Sequence, residues 1–193
     1  MKYLSCLLAL TVAACHTLPA LHYYSLAAVN APAAAKRTLT APLIRVRHVS
    51  VPHEMDHLGL THHIGATQLT ISDNDQWTAP LNILIQGTMT RDLGERLGYE
   101  QVVAADALPV ASHPASINTA NLDLDFVGLA ADDSCGITAQ VNWALTVVNA
   151  APRRGSVHLA ATAVGGCPGG LPPALSSALG DLADQLVAQL TAP

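Results

Sequence analysis

Aromatic side chains are nearly missing from this chain: one Phe, two Trp and four Tyr in 193 residues. Proteins that hold single-stranded nucleic acid need rows of aromatic platforms for the bases, so that class is excluded. Charge is also scarce. Only 12% of residues are charged, and the nine Lys and Arg are scattered under a formal net charge of −5. A phosphate-backbone binder needs a dense basic face, so no nucleic-acid partner is expected. Catalytic and phosphate-binding signatures are lacking as well: there is no Gly-x-Ser-x-Gly elbow, no Gly-rich loop ending in Lys-Ser/Thr and no CxxC pair. No nucleophile–base pair stands out, so no enzyme, no catalytic residue and no cofactor is expected. What is abundant is apolar matter, at 50% of residues with a mean hydropathy of +0.33. That excludes a disordered chain and fits one small packed domain, or a domain with a tail.

The longest apolar stretch at the N-terminus runs from Leu4 to Ala14 behind Lys2. It falls well short of the roughly 20 residues a spanning helix needs, but suits the apolar region of an export signal. It ends in Val12-Ala13-Ala14-Cys15, which resembles the bacterial lipobox, where the Cys thiol is acylated and the chain is cut before it. Two or three acyl chains suffice for stable anchoring, at about 0.8 kcal/mol per buried CH2. Lipidation at Cys15 is the reading adopted, against ordinary secretion with cleavage after Ala14. By resemblance to Gram-negative lipoproteins, His16 rather than Asp after the cysteine favours the outer membrane. The expected organisation is a signal peptide over 1–14, a lipidated N-terminus with short strand and linker over 15–41, and a domain over 42–193. Loss of Lys2 would take the mature charge to −6.

Four cysteines are present, Cys6, Cys15, Cys135 and Cys167. With the first in the signal and the second acylated, an exported protein is left with one pair, which suggests a disulfide. Hairpin spacing leads to the same pair. Ile137, Ala139, Val141, Trp143, Leu145 and Val147 alternate with polar residues, and Val157, Leu159, Ala161 and Ala163 form a second apolar row. A turn over Asn149 to Gly155, centred on Ala151, opposes Leu145 with Val157, Trp143 with Leu159 and Val141 with Ala161. It also opposes Cys135 with Cys167, within disulfide reach.

Elsewhere, Leu21 to Leu26 reads as a short strand and Ala27 to Ala41 as a linker or exposed loop. Leu43 to Val51 is β-rich, and Leu60 to Ile71 is a strand pair or one bent strand with Gly65 as the break. Asp73-Asn74-Asp75 reads as the end of those strands. Thr78 and Pro80 open a helix carrying Leu81, Leu84, Ile85, Met89, Leu93 and Leu97, and Gly98 ends it. Asp92 and Arg96 fall inside this stripe and could satisfy each other as an i,i+4 pair. Glu100 to Ala104 is a short strand, followed by a Pro-containing loop to about Asn118. Leu122, Leu124 and Phe126 alternate with Asp123 and Asp125 before an Asp132-Asp133 turn, and a last helix starts at Pro172-Pro173 with Leu175, Leu179, Leu182, Leu186 and Leu190 on one face. Antiparallel runs of strands, each followed by a helix, predict an α+β fold: two layers, a mostly antiparallel sheet with two main helices packed on one face.

These residues, taken together, resemble a family. Tyr23-Tyr24-Ser25-Leu26 soon after a lipidated cysteine is followed by a strand into Val51-Pro52-His53-Glu54-Met55-Asp56 and by Leu60-Thr61-His62-His63. Then Ser72-Asp73-Asn74-Asp75-Gln76-Trp77-Thr78-Ala79-Pro80-Leu81 leads into a helix ending Asp92-Leu93-Gly94-Glu95-Arg96-Leu97-Gly98. Over roughly Tyr23 to Leu190 the chain resembles the PqiC/YmbA family of ABC-type transport auxiliary lipoproteins. The resemblance implies a non-enzymatic lipoprotein on the periplasmic face of the outer membrane. It implies as partner an inner-membrane MCE-domain (PqiB-like) protein or its associated ABC transporter, in a lipid transport system that supports membrane integrity. A homo-oligomer is compatible with it.

Two other readings stay open. One is a periplasmic carrier of lipid or a small ligand, which needs a concave apolar pocket. The other is a His-rich metal-binding lipoprotein using His48, His53, His57, His62 and His63. Their spacing matches no zinc signature, and His62 and His63 would point to opposite faces of a strand. The cluster is therefore read as solvated, and no metal is assigned. Asp123/Asp125 and Asp132/Asp133 are read as surface carboxylates, and Trp77 and Trp143 as core anchors.

Overall fold

The computed structural model describes residues 19–31, 43–103 and 119–191. The chain forms, in order, β1 (His22–Tyr24), β2 (Leu43–Ser50), β3 (Gly59–Ile64), β4 (Gln68–Trp77) and α1 (Leu81–Leu97). A 3-10 turn (Tyr99–Gln101) then leads through β5 (Val102–Val103), β6 (Thr119–Ala131), β7 (Ile137–Thr146) and β8 (Arg153–Ala161) to α2 (Leu171–Thr191). The fold is α+β, with the strands-then-helix order appearing twice.

The strands make two sheets. The larger has the order β5-β2-β6-β7-β8 and the smaller β1-β4-β3. Pairs β3/β4, β6/β7 and β7/β8 are antiparallel, whereas β1/β4, β2/β5 and β2/β6 are parallel. The long ladders β6/β7 and β7/β8 are antiparallel, so the strands pair mostly antiparallel as expected, with the parallel pairs added at β2 and β1. Parallel neighbours need a long crossover, and between β2 and β6 that crossover carries β3, β4 and α1.

On the large sheet, alternation works as the residue pattern demands. Leu122, Leu124 and Phe126 of β6 lie beside Leu145, Trp143 and Val141 of β7, and all six are buried. Both helices lie on this side: α1 against β2, α2 against β7 and β8, and each against the other. The leucine row of α2, from Leu175 to Leu190, is buried as expected. Helix α1 begins after Pro80 with no side-chain cap, so Thr78 is not the cap that was expected. Gly98 ends it at φ 99° with its N–H on the Gly94 carbonyl, a conformation that a Cβ would strain.

Two further expectations are corrected, and a third is decided between its alternatives. The Asp73-Asn74-Asp75 run does not end the strands but lies inside β4, because the smaller sheet pairs β4 with β1 through His22↔Asp75 and Tyr24↔Trp77. The strand pair over 60–71 is a hairpin turning at Gly65 (φ 65°). The β7/β8 register is shifted by four residues: Trp143 faces Gly155, Val141 faces Val157 and Ile137 faces Ala161. The true centre is Asn149, which carries a positive φ of 64° of the kind Asn tolerates in turns. The even shift keeps every apolar residue on its intended face.

Candidate functional site

The segment after β1 was expected to be free linker, but its described part lies on the helices. Ala27 N–H donates to Ser176 Oγ (3.1 Å) and Val29 N–H donates to Asp92 Oδ1 (2.7 Å). In return, Leu26 O accepts from Arg91 Nη2 (3.2 Å) and Val29 O accepts from Arg96 Nη1 (3.3 Å). Leu26 is buried in the core, and Gly180 of α2 leaves the space that Val29 fills, since a Cβ there would meet Val29 Cβ at 2.9 Å. This strap, Leu26–Val29, is thus clamped across both helices. The rest of the expected linker, residues 32–41, lies outside the described residues, as do Cys15 and the loop over 104–118.

The clamp is built on charges inside the fold. Arg96 is 1% exposed and Asp92 fully buried. The expected i,i+4 pairing is secondary: Arg96 Nη1 stands 3.7 Å from Asp92 Oδ1. The guanidinium instead grips Asp184 of α2 with both arms, Nε to Oδ1 at 2.7 Å and Nη2 to Oδ2 at 3.1 Å. It also donates to the carbonyls of Asp92 and Gly180. A planar fork satisfies a carboxylate in this way where a lysine could not. Sequence spacing missed Asp184 because 88 residues separate it from Arg96. Asp92 Oδ2 has no hydrogen-bond partner among the described residues, and burial pushes this carboxyl up to about 6 despite the Val29 N–H and the Arg96 charge, which pull it down.

Near β1, Asp75 accepts from Ser72 Oγ (2.8 Å) and the Tyr24 hydroxyl (3.1 Å), with His22 Nδ1 at 3.2 Å. The Ser72 hydrogen bond leads in holding this carboxyl below its ordinary range. These contacts tie the first strand to the smaller sheet.

Cys135 and Cys167 are disulfide-bonded, with Cα atoms 5.2 Å apart. They are not opposed strand residues, as hairpin arithmetic had it. Strand β8 ends at Ala161, and the chain turns through Gly165 and Gly166 at positive φ before reaching Cys167. The bond therefore joins the β6–β7 turn to the loop that starts α2. Closing a loop of this length contributes about 3–4 kcal/mol on the chain-entropy account.

The five clustered histidines do not converge. His48, His53 and His57 are exposed, and His63 Nε2 lies 4.0 Å from Glu54. His62, on the other side of β3, points to the disulfide: one of its ring nitrogens and both sulfurs lie within 4.8 Å of one another.

The face of the large sheet away from the helices carries a shallow groove of about 580 Å³. Asp123, Asp125, Asn142, Arg154 and Ser156 line it. Asp123 is held by the Arg47 guanidinium (Nε to Oδ1, 2.9 Å) and Asp125 by the Ser50 hydroxyl. At the β6–β7 turn, Asp132 Oδ1 accepts from Ser134 N–H, Ser134 Oγ and Gly136 N–H. Asp123, Asp125 and Asp132 are therefore occupied locally, and Asp133 is exposed. Trp77 and Trp143 are buried, the latter donating from Nε1 to Gln189 Oε1 (3.1 Å). Among the described residues, no helix is long and apolar enough to cross a membrane.

Comparison with known proteins points the same way as this architecture. Among curated proteins, nothing matches the chain. Several solved chains match it, and two of them show the likeness of fold. One, the crystal structure of an uncharacterized protein, is 16% identical with a TM-score of 0.67, over 90% of this chain and all of the other. The second is protein XCC0632 from Xanthomonas campestris, of the DUF330 family, 13% identical with a TM-score of 0.60 over 89% of this chain and 94% of the other. Residues 24–187, which run from β1 through the clamped strap into α2, match the ABC-type transport auxiliary lipoprotein component family, and the chain belongs to that family.

Proposed function

We propose that the protein is an outer-membrane-anchored periplasmic subunit that docks an MCE-type, ABC-associated lipid transport system and so supports membrane integrity. Its role is geometric and needs no catalytic step. The observation that carries this reading is the strap. A lipid on Cys15 leaves only seven residues to His22, the first residue of β1. At roughly 3.3–3.6 Å per residue, that bounds the reach from anchor to folded sheet at about 25 Å. Because the next residues are clamped to both helices, the domain has little freedom below that bound. A subunit held so close to one membrane suits the receiving end of a partner that approaches from the other. The polar face of the large sheet is free of the helices for such a contact.

In-cell crosslinking of the tagged full-length protein, with Cys15→Ser as mislocalised control, tests this reading. The expected result is recovery of an inner-membrane MCE-domain (PqiB-like) protein or its ABC transporter, lost in the control, with the protein itself in the outer-membrane fraction. Recovery of abundant envelope proteins alone would overturn it.

A further inference from the structure

We propose that Cys135, Cys167 and His62 form a redox-gated site for monovalent copper, closed while the disulfide stands and opened by its reduction. Three distant stretches of chain meet there: the β6–β7 turn, the loop before α2, and strand β3. The two sulfurs and a His62 ring nitrogen lie within 4.8 Å of one another. Metal bonds of about 2.3 Å to sulfur and 2.0 Å to nitrogen span nearly that distance. An independent mark is the His62 Nδ1 atom, which is buried without a hydrogen-bond partner among the described residues. Buried imidazole nitrogens are ordinarily satisfied, and an orphan calls for an explanation.

The donor set selects the ion. Two thiolates and a neutral imidazole are soft to borderline ligands that favour Cu(I) over hard cations. Zinc completes four-coordination with a fourth protein ligand or, in open sites, with water; among the described residues no fourth His, Cys, Asp or Glu donor joins this group, and three donors suit Cu(I), so competition with Zn(II) decides between the two. Cys135 is fully buried while Cys167 is partly exposed, so a reductant would reach the bond at Cys167. A dithiol reductant of the thioredoxin class supplies two electrons and two protons. The S–S bond breaks, two thiols form, and the reductant leaves as its own disulfide. Binding of Cu(I) then displaces the two thiol protons and adds the imidazole nitrogen as third ligand. This site is independent of the docking role.

The test uses the full chain carrying Cys6→Ser and Cys15→Ser, so that Cys135 and Cys167 are its remaining thiols. Cu(I) is titrated anaerobically against a bicinchoninate competitor, with and without prior reduction, while far-UV circular dichroism follows the fold. One equivalent should be retained by the reduced protein and none by the oxidised. His62→Ala should weaken retention about tenfold or more with an unchanged fold, and Cys135→Ser with Cys167→Ser should abolish it. Equal retention with and without reduction would overturn the proposal, as would unchanged affinity in His62→Ala. So would displacement of the copper by an equal concentration of Zn(II), or unfolding on reduction.

Discussion

At the residue scale, the most informative position is Asp92, a carboxylate placed on the buried face of α1. Its Oδ1 is satisfied by the Val29 amide, its Oδ2 by no group among the described residues. With its folded pKa raised to about 6, against about 3.8–3.9 in an unfolded chain, the native state holds the extra proton across that interval. Stability therefore falls as pH rises from about 4 to about 6, by an amount on the order of 3 kcal/mol, and stays lower above it. Asp75 and Asp132, whose carboxyls sit below their ordinary range, lose their contribution only at more acidic pH, outside that window. Urea unfolding of Asp92→Asn should show the slope between pH 4 and 6 flattened, with the Val29 hydrogen bond kept by the amide oxygen. An undiminished slope would mean that another group carries it. The neighbouring Arg96 could be read from sequence as an oddity in an apolar stripe. Its true partner, Asp184, could not, because no local spacing links α1 to α2.

Elements were legible to different depths. The two helices and most strands follow from periodicity, since a residue's face on an isolated strand or helix depends only on its own neighbours. Register does not. The β7/β8 hairpin could close at more than one position with the same faces buried, and the choice fell to what lies opposite Trp143. Gly155 stands there, and a Cβ at that position would come within 2.7 Å of the indole. Large ring and missing side chain fill one space, while the indole N–H reaches Gln189 of α2. Gly155→Val should therefore destabilise the protein by about 1–3 kcal/mol, the usual cost of overpacking, read from the denaturation midpoint. Relief of the effect by Trp143→Leu in a double-mutant cycle would identify the clash as the cause, and additivity of the two changes would count against it. The same hairpin holds a caution: the cysteine pair was identified correctly through a register that is wrong by four residues. Compartment and count alone carried that inference.

At the scale of the whole molecule, the strap joins the expected anchor to the domain. Gly180 is where it is most easily disturbed, because Val29 rests on the space its missing side chain leaves. Gly180→Leu should displace the strap while α2 keeps its leucine row. Hydrogen exchange would report this as a gain of tenfold or more at the amides of Ala27 and Val29, with the β6/β7 ladder unchanged. Unaltered protection at those two amides would show that the strap does not depend on this contact.

The sequence by itself determined the α+β class, the helix faces, the cysteine pair and the family resemblance. All of these rest on composition or on periodicities within a few residues. Tertiary structure decided the rest: two sheets with parallel pairs, the β7/β8 register, Asp184 rather than Asp92 as the grip of Arg96, the docking of Leu26–Val29, and the meeting of His62 with Cys135 and Cys167. Each of these joins residues whose separation along the chain carries no signal, and each is fixed by which buried surfaces and polar groups must complete one another.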